Sequence, residues 1–216
     1  MLSLGLLGFI SALDVTITPP ALPTIVQDIG GSTLYIWIAN VFVLASSAVQ
    51  PLFGQFANIF GRRYPLAFAI ALFIVGSGLA GAAHLPVLLL VGRRVQGVGA
   101  GGTYVLIDIV CCDLVPLRDR GKYLAIVQAW GGVAAALGPL IGGTLAEQNW
   151  CWIFYINIPI SALPFIAVVA FMDVETGRNT MKIRDLDYLD NIIFISSTTT
   201  VLFGLIMGGI EFPWSS

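Results

Sequence analysis

Long runs of apolar residues alternate with short polar segments along the chain. Charged residues, prolines and glycines bound the runs, and each run is about as long as the roughly 20 residues that a helix needs to cross the hydrocarbon of a bilayer. The pattern therefore predicts transmembrane helices over residues 1–25, 35–58, 65–84, 86–110, 122–145, 152–172 and 191–210.

The composition supports this prediction and excludes other classes of protein. Hydrophobic residues make up 57% of the 216 positions and charged residues only 10%, with a mean hydropathy of +0.92, whereas soluble proteins carry about 25% charged residues. A net charge of -2 with 10 Lys and Arg excludes a polybasic nucleic-acid binder, and three cysteines are too few for a disulfide-stapled scaffold. We expect an all-α polytopic protein of the lipid bilayer, without a cofactor or a bound metal.

The basic residues of the loops lie on one side of the predicted membrane. They fall between spans two and three, four and five, and six and seven, and they are Arg62, Arg63, Arg118, Arg120, Lys122, Arg178, Lys182 and Arg184. By the positive-inside rule, loops 59–64, 111–121 and 173–190 are cytoplasmic, together with the amino terminus. We expect a multi-pass protein of the plasma membrane, with the vacuolar membrane as the alternative.

The longest polar stretch, residues 173–190, divides the chain and is predicted to be a cytoplasmic linker. Residues 1–172 form a predicted six-helix bundle, residues 191–210 a seventh span, and residues 211–216 the start of an outer loop. The first run lacks a basic amino-terminal region and a small-residue cleavage pattern, so it is predicted to be a retained span and not a secretory signal.

Ionisable residues inside the predicted spans point to function, because a charge at the centre of a bilayer costs about 2.5 to 3.5 kcal/mol on insertion scales. Asp14 lies well inside span one, Arg93 and Arg94 lie inside span four, and Asp108 near the end of span four is a weaker case. Burial favours the protonated form of a carboxylate, which makes Asp14 a candidate for proton exchange. The alternatives are a static partner role for Asp14 and an arginine, with Arg94 the better candidate, that extends to the outer interface.

Span four combines its charge with small residues on one face. Five residues of this span are related by helical spacings of three and four: Arg93, Gln96, Gly97, Ala100 and Gly101. Small residues at such spacings let helices pack closely in a membrane. We expect this face to be both polar and tightly packed.

Span five contains a second concentration of small residues, at Gly138, Gly142 and Gly143, together with Pro139. Pro139 removes one helical hydrogen bond, and small residues at a spacing of four let a neighbouring helix approach the backbone. The segment is predicted to be a kinked helix at a moving interface, or else a tight contact in a rigid bundle.

Five segments of the chain resemble the motifs of one transporter family, in the order that the family has them. Residues 54–63 resemble its loop motif between spans two and three, residues 92–101 its span-four motif, and residues 138–143 its antiporter motif in span five. Residues 13–23 and 150–159 resemble motifs of the branch with 14 spans. The chain is therefore identified as a member of the major facilitator superfamily, similar to its drug:proton antiporters of the fungal multidrug and metabolite exporter type.

The resemblance implies a fold and a function. It implies the N-terminal six-helix bundle of the major facilitator fold plus a seventh span, and proton-coupled export of small organic molecules by alternating access. It also implies that Asp14 is the protonation site and Arg93 its coupling partner. The implied gate loop contains Gly54, Asn58, Gly61, Arg62 and Arg63. The implied antiporter motif contains Gly138, Pro139, Gly142 and Gly143.

The chain departs from the family pattern in sequence and in length. Asn58 stands where the family usually has an aspartate that locks the cytoplasmic side, so we expect the charge-assisted bond there to be lost and the outward-facing state to be held more weakly. Cys151 replaces a common arginine, and Asp190 replaces a glycine before span seven. Family members have 12 or 14 spans, so we expect this chain to be a fragment that lacks its C-terminal half.

Several polar and aromatic residues are candidates for a substrate path, although periodicity alone does not assign them. These candidates are Asn40, Gln50, Gln96, Gln128 and Trp130. The expected partners are therefore a small organic substrate, protons, the bilayer and the missing half of the protein, and not a nucleic acid.

Three alternatives to a proton-coupled exporter stay open. The same fold also serves facilitators and symporters of sugars or metabolites, and a non-transporting membrane scaffold is the second alternative. An intramembrane enzyme is the third and the least favoured. The single histidine, His84, lies at an outer loop, and the sequence does not pair a nucleophile with a base. We expect no enzymatic activity.

Overall fold

Apolar runs become helices in lipid because a helix pairs nearly all of its backbone N–H and C=O groups within one segment. The computed structural model describes residues 2–30, 35–172 and 188–207. The helices in these residues are α1 (Leu2–Ile29), α2 (Tyr35–Phe60), α3 (Arg63–Gly81), α4 (Pro86–Leu114), α5 (Arg120–Asn149), α6 (Cys151–Tyr155), α7 (Asn157–Phe171) and α8 (Tyr188–Met207).

Among the described residues, 7 helical segments are long and apolar enough to cross a membrane. The short helix α6 and helix α7 are separated only by Ile156 and together make the sixth span, Cys151–Phe171. The predicted all-α membrane protein and its number of spans are confirmed. Within the predicted linker, residues 173–187 lie outside the described residues, as does the outer loop 211–216, so the division into domains stays a prediction.

Several helices extend beyond their predicted ends, α1 and α4 among them. Helix α1 continues through Pro19, Pro20 and Pro23 to Ile29, and α4 reaches Leu114, so part of the predicted loop 111–121 is helical. Proline is tolerated inside a membrane helix because neighbouring helices and side chains can pair the carbonyl groups that it frees. Helix α1 therefore ends at Ile29, beyond the end predicted at residue 25.

Helix α4 occupies the middle of the bundle, where glycines set its distance from α2. It packs extensively against both α2 and α3, while α1 packs mainly against α5. A Cβ atom on Gly97 would lie 2.6 Å from the carbonyl oxygen of Phe42, and one on Gly101 would lie 2.2 Å from that of Ser46. Both distances are too short for any side chain, so the close packing predicted for span four is confirmed at these two glycines.

A third glycine sets the contact between α4 and α3. A Cβ atom on Gly76 of α3 would lie 2.3 Å from the backbone nitrogen of Gln96. This approach brings the side chain of Gln96 beside that of Ser77, the next residue of α3. Close backbone packing therefore positions the polar groups of the bundle interior.

Candidate functional site

Asp14 on α1 lies in the interior of the bundle, where side chains from two other helices donate hydrogen bonds to it. The Nη1 of Arg93 donates to its Oδ2, and the Nε2 of Gln96 and the Nδ2 of Asn157 each donate to its Oδ1 at 2.7 Å. The exposed fraction is 0% for Asp14 and 1% for Arg93. The arrangement is a buried ion pair with the donors that a carboxylate needs when it leaves water.

Aromatic rings surround the other side of the buried cation. The guanidinium carbon of Arg93 lies 4.3 Å from the ring centroid of Phe42 on α2 and 5.8 Å from that of Phe154 on α6. A cation is attracted to the face of an aromatic ring, and more strongly where water is excluded. Both rings are fully buried, whereas the neighbouring Arg94 is exposed. The two buried rings therefore cover part of the guanidinium of Arg93.

Gln96 is held at both ends of its side-chain amide. Its Oε1 accepts a hydrogen bond from Arg93 at 2.9 Å, and its Nε2 donates both to Asp14 and, at 2.9 Å, to the Oγ of Ser77. The Oγ of Ser77 donates in turn to the carbonyl oxygen of Phe73 at 2.8 Å. If the side-chain amide of Gln96 turned over, its hydrogen bonds to Arg93, Asp14 and Ser77 would all be lost.

Asn157, at the start of α7, completes the site and has no assigned role in the sequence prediction. It is 0% exposed, and its Oδ1 has no hydrogen-bond partner among the described residues. The Oγ of Ser161, one turn further along α7, is likewise buried and unpaired there. The available signal was an amide residue inside an otherwise apolar span, but the sequence does not tell which helix that amide faces.

The other substrate-path candidates lie apart from this cluster. The Nδ2 of Asn40 donates to a carbonyl oxygen of its own helix at 2.9 Å, and Gln50 is half-buried on α2. Gln128 lines a separate cavity between α1, α4 and α5, and Trp130 packs against α1. Gln96 is the candidate that the structure brings into contact with the ion pair.

The implied gate loop joins α2 to α3 in a tight turn, in which Gly61 has a φ of 79°, a backbone conformation that glycine adopts without strain. The Nε of Arg62 donates to the Oδ2 of Asp113 on α4 at 2.8 Å, and its Nη1 donates to the Oδ1 of Asn58 at 3.1 Å. Asn58 thus accepts a hydrogen bond from the guanidinium inside the loop, while the expectation that the outward-facing state is held more weakly stays a prediction. The carboxylate that pairs with Arg62 is that of Asp113.

The remaining residues of the gate loop connect it to other helices. The Nη2 of Arg63 donates to the carbonyl oxygen of Val169 on α7. A Cβ atom on Gly54 would lie 3.8 Å from the Cγ1 of Val105 on α4, which is an ordinary contact. The loop thus links one end of the α2–α3 pair to both α4 and α7.

The implied antiporter motif faces α1 on one side only. A Cβ atom on Gly138 would lie 2.0 Å from the Oγ1 of Thr16, and one on Gly142 would lie 2.4 Å from the carbonyl oxygen of Ile17. A Cβ atom on Gly143 would have no described heavy atom within 4 Å, and Pro139 lies inside an uninterrupted α5. The motif therefore packs directly against the segment of α1 that follows Asp14.

Comparisons with known proteins agree with this architecture. The sequence model of the family described as Major Facilitator Superfamily matches residues 4–213. The chain is 40% identical over 220 residues to the MFS-type transporter gkaD of Penicillium citrinum, with 100% of this chain and 38% of that protein covered. It is 41% identical over 218 residues to the MFS efflux transporter aclA of Aspergillus oryzae, with 99% of this chain and 40% of that protein covered. The chain thus spans about two fifths of the length of these curated relatives.

Solved structures share the fold at low sequence identity. A crystal structure of a mutant of the peptide transporter POT in complex with sulfate has a TM-score of 0.73 at 14% identity, and the match covers 99% of this chain and 47% of that chain. An inward open structure of the xylose transporter XylE from E. coli has a TM-score of 0.62 at 16% identity. This match covers 98% of this chain and 56% of that chain. At these identities the likeness concerns the fold alone.

Proposed function

The chain belongs to the major facilitator superfamily, and from this premise we propose that it forms the N-terminal part of a proton-coupled exporter of small organic molecules. The observation that carries the proposal is the buried pair of Asp14 and Arg93. An intramembrane ion pair is costly to bury, and a carboxylate beside a fixed cation is a group that can exchange a proton as its surroundings change. The relatives named as efflux transporters support export as the direction.

Proton binding at Asp14 would change the contacts between three helices. A protonated carboxyl group must donate a hydrogen bond, and Asn157 can accept it by turning its unpaired Oδ1 towards Asp14, whereas Gln96 is held at both ends. Arg93 would then lose its counter-charge in a dry site. The link between α1 and α4 weakens, and this is the proposed step that couples the proton to movement of the helices.

The proton gradient supplies enough free energy for this purpose. One proton that moves down 100 mV and one pH unit releases about 3.7 kcal/mol. That amount supports a substrate gradient of about 500-fold. Coupling through one carboxylate is therefore sufficient for substantial accumulation.

The two motifs outside the ion pair have proposed mechanical roles. The bond between Arg62 and Asp113 would hold one end of the bundle in one conformation and break in another. The contact of Gly138 and Gly142 with α1 would transmit a shift of α1 to α5. We place the exporter in the plasma membrane and assign it transport, not catalysis, with a drug or a toxic metabolite as cargo.

Reconstitution of the protein encoded by the full reading frame tests this proposal. In vesicles with an acidic lumen, ethidium or calcein, chosen as a cationic and an anionic probe, should accumulate inside as protons leave. Collapse of the pH gradient with a protonophore should abolish accumulation. Equilibration of the probe that does not depend on the pH gradient would support a facilitator. A stable co-purifying partner, with no flux under any gradient, would support a scaffold.

A further inference from the structure

A small cavity between α1, α4 and α5 lies apart from the buried ion pair. Its volume is about 50 Å³, and its polar lining comes from Tyr104 and Asp108 of α4 and Gln128 of α5, while small residues of α1 form the opposite wall. One water molecule occupies about 30 Å³ in the liquid. The cavity therefore accommodates a small head group and not a whole organic molecule.

The polar groups of this cavity are not used by the fold. Among the described residues, no hydrogen bond or ion pair engages the carboxylate of Asp108, the hydroxyl of Tyr104 or the amide of Gln128. Asp108 and Tyr104 are one helical turn apart and Gln128 faces them from the neighbouring helix, so the three groups converge on one space. Polar side chains that a membrane bundle leaves without partners are candidates for ligand contacts.

The charged side chain that lines the cavity is acidic. Asp108 is acidic, and none of the described residues that line the cavity is basic. Arg120, near the start of α5, directs its Nε to the carbonyl oxygen of Val115 at 3.3 Å, and Arg93 is already paired with Asp14. A cationic head group would find a counter-charge here, whereas an anionic one would meet repulsion.

We propose that this cavity binds the protonated amine of a substrate, with Asp108 as the counter-charge. The amide oxygen of Gln128 would accept a second hydrogen bond, and Tyr104 would supply its hydroxyl oxygen and the face of its ring. The inference rests on the proposed exporter function and narrows its substrates to organic molecules with a basic nitrogen.

The position of the cavity gives the amine site a place in transport. Asp108 lies near the end of α4 that the distribution of basic residues predicts to be cytoplasmic. Gln96 of the buried cluster lies on the same helix, roughly 18 Å deeper at 1.5 Å per residue. A substrate leaving the cytoplasm would therefore contact Asp108 before it reaches the level of Asp14.

Three probes that share one ring and differ in head-group charge test the proposal: benzylammonium, benzyl alcohol and benzoate. Binding is measured by saturation-transfer NMR on the protein of the full reading frame in nanodiscs, with empty nanodiscs as the background. Benzylammonium should bind about tenfold more tightly than benzyl alcohol, which corresponds to one charge-assisted bond. Asp108→Asn should remove this preference and Asp108→Glu should keep it. Glu147→Gln, the same change of charge at an exposed position of α5, should leave it unchanged.

Several results would overturn the amine site. They are equal affinity of the wild-type protein for benzylammonium and benzyl alcohol, tighter binding of benzoate, and an unchanged preference in Asp108→Asn. If Asp108→Asn does not fold, Gln128→Leu provides the second test, with an expected loss of about threefold in the affinity for benzylammonium alone.

The outcome of the test of the amine site is separable from that of the exporter proposal. Asp108-dependent binding without proton-driven transport would refute only the exporter, and proton-driven transport with Asp108-independent binding would refute only the amine site.

Discussion

Substitution of Asp14 by asparagine is expected to abolish proton-driven transport and to destabilise the bundle by about 3 to 5 kcal/mol. The loss of stability follows because Arg93, 1% exposed, would keep its charge without a counter-charge in a dry interior. The loss of coupling follows because the amide cannot bind and release a proton. Transport is measured in vesicles with an imposed pH gradient, and the free energy of unfolding by denaturation in mixed micelles.

A double variant separates these two effects. Asp14→Asn combined with Arg93→Gln removes both charges, so most of the stability should return while proton-driven transport stays absent. Asp28→Asn, on the same helix but exposed and bonded through a carboxylate oxygen to the indole of Trp150, is the matched control and should change stability by about 0.5 kcal/mol or less. Proton-driven transport at the wild-type rate in the Asp14→Asn variant would exclude Asp14 from its assigned role.

Gly142→Ala and Gly143→Ala are expected to differ strongly although the two residues are adjacent. A Cβ atom on Gly142 would lie 2.4 Å from the carbonyl oxygen of Ile17, whereas one on Gly143 would have no described heavy atom within 4 Å. Both changes raise helix propensity alike, so the difference isolates the contact with α1. We expect Gly142→Ala to be less stable than Gly143→Ala by about 1 to 3 kcal/mol, the usual cost of overpacking.

Thermal unfolding of the two alanine variants, purified side by side, checks this difference. The transport rate should fall in Gly142→Ala and stay near the wild-type value in Gly143→Ala, because only the former separates α5 from the segment that follows Asp14. Equal unfolding temperatures for the two variants would show that α1 and α5 do not meet at this face.

The sequence predicts the spans well because the bilayer imposes a strong and local requirement. About 20 apolar residues are needed for each crossing, and this requirement appears in a single stretch of sequence. The ends of the helices are less predictable than the positions of the spans. Pro19, Pro20 and Pro23 end a helix in water, but here they lie inside α1, because tertiary contacts in a bundle override the local preference of proline.

The site was only partly predictable, because its partners come from spans that are distant in sequence. Asp14 and Arg93 stand out individually, since a charge in an apolar run is visible without a structure. Asn157 and Ser77 do not stand out, because the contact of their helices with Asp14 and Gln96 depends on which faces pack together. That choice is made by close contacts such as the one between Gly76 and the backbone of Gln96.

The gate loop shows the same limit. The sequence correctly marks Asn58 as unable to supply a negative charge, but it does not reveal that Asp113, 51 positions from Arg62, supplies the carboxylate. The carboxylate that pairs with Arg62 therefore belongs to another helix and lies outside the loop motif. Pairings between spans have to be known before the effect of a substitution within the motif can be predicted.

The central claim is that Asp14 carries the exchanged proton, and infrared difference spectroscopy tests it most directly. Wild-type protein and the Asp14→Asn variant, each in nanodiscs, are recorded as the pH is lowered, and the carboxylic acid C=O band is compared. We predict a band in the wild-type protein that is missing from the variant and that shifts when substrate is added. Identical carboxylic acid bands in the two proteins at every pH would contradict the claim.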